Sequence, residues 1–359
     1  MKKIILIIIS FALLLFSGCT KSGNNSDPTT DPTTKQPEDP KVSDYFPLKA
    51  DVHMKYFGEG NEFAEYETFV DFINGNKIQL RVVNPGTISA EVYTVDDDAL
   101  TLVYAEGEVY YRHDFTSMAT NDEILIKAPI TVGTSWNIKN SATRTITAID
   151  KKVTVKAGEF DTLEVTTEAE DYTTTQYYAR DIGLIKEVYS TREVIGTDSF
   201  SVTSELEKME TDAEQTQSVN IYYPQYDNDM RLVYVSHEIA LKTGDNANDK
   251  LVELLKTVPE GIGLTPGLSK NAKLQSVVID NENGILTLDF SEELISEMTG
   301  GAAMESLLVQ SITNTFGVYY QKDKVVIKAG GKLYEGGHIA LNEGEFFMVT
   351  KDVPEFKLD

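Results

Sequence analysis

The chain has 359 residues, of which 41% are hydrophobic and 25% are charged, and its formal net charge is −25 at pH 7. This composition is that of a folded globular protein, and it excludes a chain that is disordered throughout. The negative charge argues against binding to nucleic acid or to anionic lipid head groups, because both would be repelled. The single cysteine excludes a disulfide within the chain.

The amino terminus has the order of residues that is typical of a secretion signal. Two lysines precede an apolar run at residues 4–16, and the small residues Ser17 and Gly18 stand directly before Cys19. The run is too short to span a bilayer comfortably. The pattern resembles a lipobox, which implies that residues 1–18 are a signal peptide and that Cys19 becomes the lipidated, palmitate-carrying first residue. We therefore predict an extracytoplasmic lipoprotein that is attached to its membrane through the N-terminal lipid.

Residues 19–43 comprise the lipidated cysteine and a predicted tether. The segment is rich in Ser, Thr, Asp and Pro, and the sequence Asp-Pro-Thr-Thr occurs twice in succession at residues 27–34. It has too few apolar residues to form a core, so we predict that it is disordered. A flexible tether of this kind would hold the folded parts away from the membrane.

Residues 44–210 show period-two alternation of apolar and polar side chains, with many Thr, Val, Tyr and Phe residues. Turn signals such as Asn74-Gly75 and Glu106-Gly107 interrupt the alternation. We therefore predict an antiparallel all-β domain of about a dozen strands. The predicted strands include residues 52–57, 66–73, 77–83, 89–95, 100–104, 108–113, 143–149, 152–156, 162–167, 174–179 and 184–189.

Three segments of this region carry a further resemblance. They are Ala-Pro-Ile-Thr-Val-Gly-Thr-Ser-Trp at 128–136, Ala-Gly-Glu-Phe at 157–160 and Tyr-Tyr-Ala-Arg-Asp-Ile-Gly-Leu-Ile-Lys at 177–186. Together they look like a β module of bacterial extracytoplasmic proteins, similar to the strongly curved half-barrels of lipoprotein carriers. The resemblance implies a curved sheet or half-barrel, and it implies architecture rather than an activity.

Residues 218–350 follow a polar, acidic boundary and mix helical with strand patterns. Alternation at 285–290 predicts a half-buried strand. A helical pattern follows the glycine pair at 300–301, and a last strand is predicted at 324–328. This region is therefore predicted to be a second, α+β domain that folds without the rest of the chain.

Several features of this region occur in a fixed order. They are the paired aromatic residues of strand 219–223, strand 231–238, the leucines of helix 250–255, the Gly/Pro loop 261–268, the two-strand step 273–290, the Gly-Gly helix and the sequence Gly-Gly-Lys at 330–332. The order resembles the GerMN domain, a family of sporulation and spore germination proteins of the bacterial envelope. The resemblance implies an α+β GerMN-like domain and a role in sporulation, germination or envelope assembly.

The Gly-Gly helix has an apolar side and a polar side. Its apolar stripe consists of Met304, Leu307, Leu308, Ile312 and Phe316, and we predict that it packs on the sheet of the domain. The family resemblance places its recurrent residues on the polar side, which we expect to be exposed. These residues are Glu305, Gln310, Thr313 and Asn314. They are interpreted either as a contact surface for an envelope partner or as residues that fix the helix and its turns.

The sequence has no recognisable constellation for catalysis or metal binding. The four histidines, His53, His113, His237 and His338, are far apart, and no zinc-helix, phosphate-loop or nucleophile-elbow motif occurs. The acidic clusters lack the ligand spacing of a calcium loop. We therefore predict no cofactor, no metal and no enzymatic activity.

The sequence favours a non-enzymatic, lipid-anchored cell-envelope protein that acts as an interaction or assembly module with an envelope protein partner. The alternative is a carrier whose β domain holds an apolar ligand or lipid, for which 18 Tyr and 15 Phe residues would suit the lining. A hydrolase of envelope polymer would require a carboxylate pair that the fold brings together. The oligomeric state is open and includes a homo-oligomer.

Overall fold

The computed structural model describes residues 39–139, 142–192, 200–226, 230–258 and 263–357. The predicted signal peptide, the predicted lipidation site Cys19 and residues 20–38 of the predicted tether lie outside these ranges. Pro40 to Asp359 form a single compact unit.

In the described part of residues 44–210, twelve antiparallel strands form one sheet. The strands are β1 Val52–Glu59, β2 Tyr66–Asn74, β3 Lys77–Val83, β4 Ile88–Val95, β5 Ala99–Glu106, β6 Glu123–Lys127, β7 Ser135–Asn137, β8 Thr143–Val155, β9 Gly158–Glu168, β10 Tyr172–Ala179, β11 Gly183–Thr191 and β12 Ser201–Thr211. Their spatial order is β6-β5-β4-β3-β2-β1-β12-β11-β10-β9-β8-β7. The pairing of β1 with β12 therefore joins two six-stranded halves.

The sheet curves until its two end strands approach each other. Trp136 of β7 donates its indole N–H to the carbonyl of Ile124 in β6, at 3.1 Å. Arg144 of β8 donates to the same carbonyl at 2.6 Å. The all-β antiparallel prediction is confirmed, and the region is a nearly closed half-barrel.

Three of the predicted strands differ from the structure. Residues 143–149 and 152–156 belong largely to the single strand β8, which accommodates Asp150, with φ of 55°, in an irregularity of its pairing with β9. Residues 108–113 are not a strand. The carbonyls of Val109 and Tyr111 accept hydrogen bonds from the Arg81 guanidinium, both at 2.8 Å, and not from a neighbouring strand.

The C-terminal region combines a hairpin, a second sheet and three helices within the described residues. Its elements are β13 Gln215–Tyr226, β14 Met230–Leu241, α1 Ala247–Lys256, β15 Leu274–Asp280, β16 Ile285–Phe290, α2 Glu293–Ser296, α3 Ala302–Tyr319, β17 Lys324–Ala329, β18 Lys332–Leu333 and β19 Phe347–Met348. Strands β16 and β17 are parallel, so the chain must cross over between them, and α2 and α3 form that crossover. The α+β prediction is confirmed.

The two regions share buried surface. Val92 and Tyr104 of the half-barrel belong to the same apolar core as Ile221 and Phe316 of the C-terminal region. The chain passes from β12 to β13 through the short linker 212–214. The prediction that the C-terminal region folds by itself stays a prediction.

A buried ion network lies at this junction. The Asp71 carboxylate is 3.0 Å from Arg81 Nη2 and 3.0 Å from Arg112 Nη1, and all three side chains are almost completely buried. Arg112 also donates to the carbonyl of Lys242, at 2.6 Å. The network therefore ties the outer face of the half-barrel to the end of β14.

Candidate functional site

The concave side of the half-barrel contains a cavity of about 350 Å³, which lies within the range of small-molecule sites. Its walls are mainly apolar and come from both halves of the sheet. They include Val70, Ile78, Leu80, Leu102, Leu125 and Leu184.

Strand alternation explains how the cavity acquires this lining. In β3, Ile78, Leu80 and Val82 line the cavity, whereas Gln79 and Arg81 point to the opposite face. Residues 109–113 cover the opposite face, where their carbonyls accept hydrogen bonds from Gln79 and Arg81, so β3 is covered on both sides.

Two carboxyl groups share the cavity. Glu91 lies on β4 and Glu187 lies on β11, with four strands between them in the sheet. On a flat sheet that separation would be about 24 Å, from strand spacings of about 4.8 Å. The curvature instead brings the carboxyls close enough for the Glu187 charge to affect the pKa of Glu91.

Burial raises the pKa of both carboxyls. For Glu91, burial has the largest effect, the hydrogen bond from Tyr93 opposes it, and the charge of Glu187 adds to it. For Glu187, burial again dominates and is opposed by Gln176, whose Nε2 donates to Oε2 at 2.6 Å. Both carboxyls therefore hold a proton more readily than an exposed glutamate does.

Tyrosine side chains surround these carboxyls. The rings of Tyr56 and Tyr66 are stacked with their centroids 4.3 Å apart, and the Tyr56 hydroxyl donates to the Leu184 carbonyl at 2.8 Å. The Tyr178 hydroxyl donates to Gln176 at 3.0 Å. Burial raises the pKa of each of these tyrosines, so all three are neutral.

The basic groups near the cavity have other partners. Of the described residues that line it, Lys49 is the one basic side chain; it is exposed, and its ammonium group donates to the Asp181 carbonyl at 2.5 Å. Arg144 lowers the pKa of Glu187 to some extent, but its guanidinium is paired with Glu123 at 2.9 Å. The interior of the cavity therefore has more acid than base.

The four residues proposed as a contact surface lie on α3, and three of them are buried. Glu305 is 3% exposed, and Thr313 and Asn314 are 0% exposed, while Gln310 is half-buried. The prediction of an exposed polar face was therefore wrong. Polar residues usually mark the exposed face of a helix. In α3 this face is buried because segments from elsewhere in the chain cover it and supply its hydrogen-bond partners.

The covering segment beyond β19 bonds directly to α3. Asn314 donates from Nδ2 to the carbonyl of Thr350 and accepts from its N–H, both at 2.9 Å. Gln310 donates to Asn314 at 2.6 Å and to the carbonyl of Met348 at 2.9 Å. These side chains hold residues 348–350 against the helix.

The other two polar groups are also satisfied within the domain. Thr313 donates to the Val309 carbonyl one turn earlier, at 2.8 Å, a bond that lets a hydroxyl be buried inside a helix. The Glu305 carboxylate accepts from the Tyr334 hydroxyl at 3.1 Å and from the Ile339 N–H at 3.2 Å. These contacts fix turns and loops, which matches the structural interpretation of these residues.

The apolar stripe of α3 is divided between core and surface. Ile312 and Phe316 are completely buried, which confirms the predicted core face. Met304 and Leu308 are half-buried and line an open groove together with Leu268. The helix is thus surrounded on most sides, because its second half lies inside the domain.

The structure places no metal site or membrane helix in the parts of the chain it describes. No group of three or more His, Cys, Asp or Glu side chains in those ranges is positioned to hold a metal ion. None of the helices found there is long and apolar enough to cross a membrane.

These features define the class of the C-terminal region, which is an α+β domain built around a buried crossover helix. Residues 220–335 match the family model Germane, described as sporulation and spore germination. The chain therefore contains a Germane domain, and the GerMN resemblance of the sequence is confirmed for this segment. No curated protein matches the chain.

Two of the solved structures that are similar to part of the chain come from one sporulation protein. The first contains the tandem GerMN domains of the sporulation protein GerM from Bacillus subtilis, with 23% identity, a TM-score of 0.30, and coverage of 39% of this chain and 48% of that chain. The chain thus spans about half the length of that structure. The second is the first GerMN domain of the same protein, with 19% identity, a TM-score of 0.27, and coverage of 38% and 97%.

Proposed function

We propose that the protein is a lipid-anchored, extracytoplasmic envelope protein whose Germane domain is a non-enzymatic interaction or assembly module in sporulation, germination or envelope assembly. The match of residues 220–335 to the Germane family carries this proposal. The signal-like order of residues 1–19 supports the anchor and the location.

The partner surface of the module has to lie outside the buried side of α3. Exposed apolar side chains on the domain are the better candidates, because such residues are enriched where proteins associate. They include Val278, which is 58% exposed, and Met348, which is 52% exposed. Comparable residues on the half-barrel are Val132, at 64%, and Phe63, at 51%.

Site-specific photo-cross-linking tests this proposal. A photoreactive amino acid is introduced singly at Val278, Met348, Val132 and Phe63, and adducts are recovered from the envelope of the source cells and identified by mass spectrometry. We expect a recurrent protein adduct from Val278 or Met348. The same adduct only from Val132 or Phe63 would assign the interaction to the half-barrel and overturn the proposal.

A second function, a carrier, is favoured by the cavity of the half-barrel. The cavity lies on the concave face, is lined mainly by apolar side chains and is large enough for a small ligand. Organic extraction of the native protein followed by mass spectrometry would detect a stoichiometric apolar ligand. If no ligand is found and no apolar probe binds, the carrier function is wrong.

The hydrolase alternative is less well supported by the same cavity. Glu91 and Glu187 both line the cavity, but they lie within a curved, mainly apolar wall that encloses about 350 Å³. A polymer substrate requires an open, polar cleft. We therefore favour the carrier function over hydrolysis for this cavity.

A further inference from the structure

We propose that the half-barrel cavity binds a cationic amphiphile, with Glu91 and Glu187 receiving its ammonium group and the apolar walls receiving its hydrocarbon body. This inference rests on the proposed carrier function and adds the chemical class of the ligand. It follows from the hydrogen-bond partners, the charges and the walls of the cavity.

The hydrogen-bond partners of the two carboxyls leave room for a charged donor. Among the described residues, the side chains that donate to them are neutral: the Tyr93 hydroxyl bonds to Oε2 of Glu91, and the Gln176 amide bonds to Oε2 of Glu187. A carboxylate has about four acceptor positions, so each group can accept further bonds. An ammonium group has three N–H donors, so it can donate to more than one acceptor in the cavity.

The charges in the cavity favour a positively charged ligand. Burying a carboxylate without a cation is unfavourable, and the raised pKa of Glu91 and of Glu187 reflects this cost. Lys49 and Arg144 are bonded to other groups, and the charge of Arg144 offsets the effect of burial on the pKa of Glu187 only in part. A bound ammonium offsets the cost, whereas a ligand carboxylate or phosphate would add a third negative group.

The walls of the cavity suit the two parts of such a ligand. Tyr66, Tyr93 and Tyr178 also line the cavity, and tyrosine rings attract cations through their faces. The aliphatic side chains, among them Leu80 and Leu102, can bury a hydrocarbon chain. A small polar cation such as an inorganic ion would leave these apolar walls unused.

Three probes of equal chain length separate the class of ligand from the carrier function. Octylammonium, octanol and octanoate are titrated into the purified full chain by calorimetry at neutral pH. We expect octylammonium to bind about tenfold or more tightly than octanol, since hydrogen bonds to charged groups are stronger than neutral ones. Octanoate should bind most weakly.

Other results would overturn the inference in distinguishable ways. Equal binding of octylammonium and octanol, or preference for octanoate, would refute the cationic class while keeping a carrier of apolar molecules. Absence of binding for all three probes would refute the carrier function as well.

Conservative variants test the two carboxyls. Glu91→Gln and Glu187→Gln keep the shape of the side chain and remove its charge, so each should weaken octylammonium binding by a larger factor than octanol binding and thereby reduce the preference for octylammonium. The control is Glu59→Gln, an exposed position on β1, which should leave the preference unchanged. If both cavity variants keep the full preference, these residues do not recognise the ligand. Retained octanol binding also shows that the variants are folded.

Discussion

The cavity of the half-barrel and helix α3 of the Germane domain both contain buried polar side chains, but these side chains have different kinds of partner. In α3, Thr313, Asn314 and Glu305 have partners supplied by the domain itself. In the half-barrel, Glu91 and Glu187 face a cavity and have neutral donors. Buried polar groups with complete hydrogen bonding stabilise a fold, whereas buried acids beside an empty volume are available to a ligand.

The largest expected effect is at the junction between the regions, where Asp71 forms ion pairs with both Arg81 and Arg112. Asp71→Ala leaves Arg81 and Arg112 buried without their carboxylate, so we expect a loss of about 3–5 kcal/mol in the free energy of unfolding. Denaturant unfolding of the full chain measures it.

The matched control for this variant removes a different ion pair at the same junction. Asp212→Ala removes a pair with Lys242, but Asp212 is 83% exposed and solvent screens the pair, so the change should destabilise the protein far less than Asp71→Ala. Similar losses for Asp71→Ala and Asp212→Ala would show that the buried network does not hold the two regions together.

A smaller loss is expected where α3 holds the covering segment. Asn314→Ala removes two hydrogen bonds to the backbone of Thr350, so stability should fall by about 1–3 kcal/mol. Thermal or denaturant unfolding checks this value. Ser306→Ala, at an exposed position of the same helix, should stay within about 0.5 kcal/mol. An Asn314 variant as stable as the Ser306 variant would restore the interpretation of this face as a surface.

In the cavity, removing a carboxyl group should increase the free energy of unfolding rather than decrease it. The pKa of Glu91 is raised from its ordinary value of 4.5, mainly by burial, so the folded state binds protons more strongly than the unfolded state. Stability from this group is therefore present at low pH and is lost as the pH rises from 4.5 through the raised value. Glu91→Gln should stabilise the protein at neutral pH and make its stability less dependent on pH.

Denaturant unfolding as a function of pH measures this effect, with Glu59→Gln as the exposed control. Destabilisation by Glu91→Gln at neutral pH would mean that the carboxylate has a favourable structural partner. The contrast between the cavity and α3 would then disappear.

The smallest effect on stability is expected at Cys19. Cys19→Ala removes the predicted lipid, so the protein should no longer fractionate as a lipidated membrane protein, while its free energy of unfolding should stay within about 0.5 kcal/mol. Membrane fractionation and mass spectrometry of the N-terminus measure the outcome. Thr20→Ala should remain lipidated. A Cys19 variant that is still cleaved and tightly membrane-bound would contradict the anchor.

The sequence by itself determined the elements whose signal is local. Alternation over short segments predicted most strands of the half-barrel, since a strand with one face buried needs an apolar residue at every second position. The order of strands, helices and glycines predicted the Germane domain, which the match at residues 220–335 confirms. The apolar positions Ile312 and Phe316 likewise predicted the core face of α3.

Only the tertiary structure decided the environment of the polar side chains. Glu91 and Glu187 are distant in sequence, and they share a cavity because β1 pairs with β12 and the sheet curves. Residues 348–350 cover the polar side of α3, which no helical period can reveal. Burial and charge pairing are set by segments that meet through long-range packing, whereas periodicity reports only which residues of one element share a face.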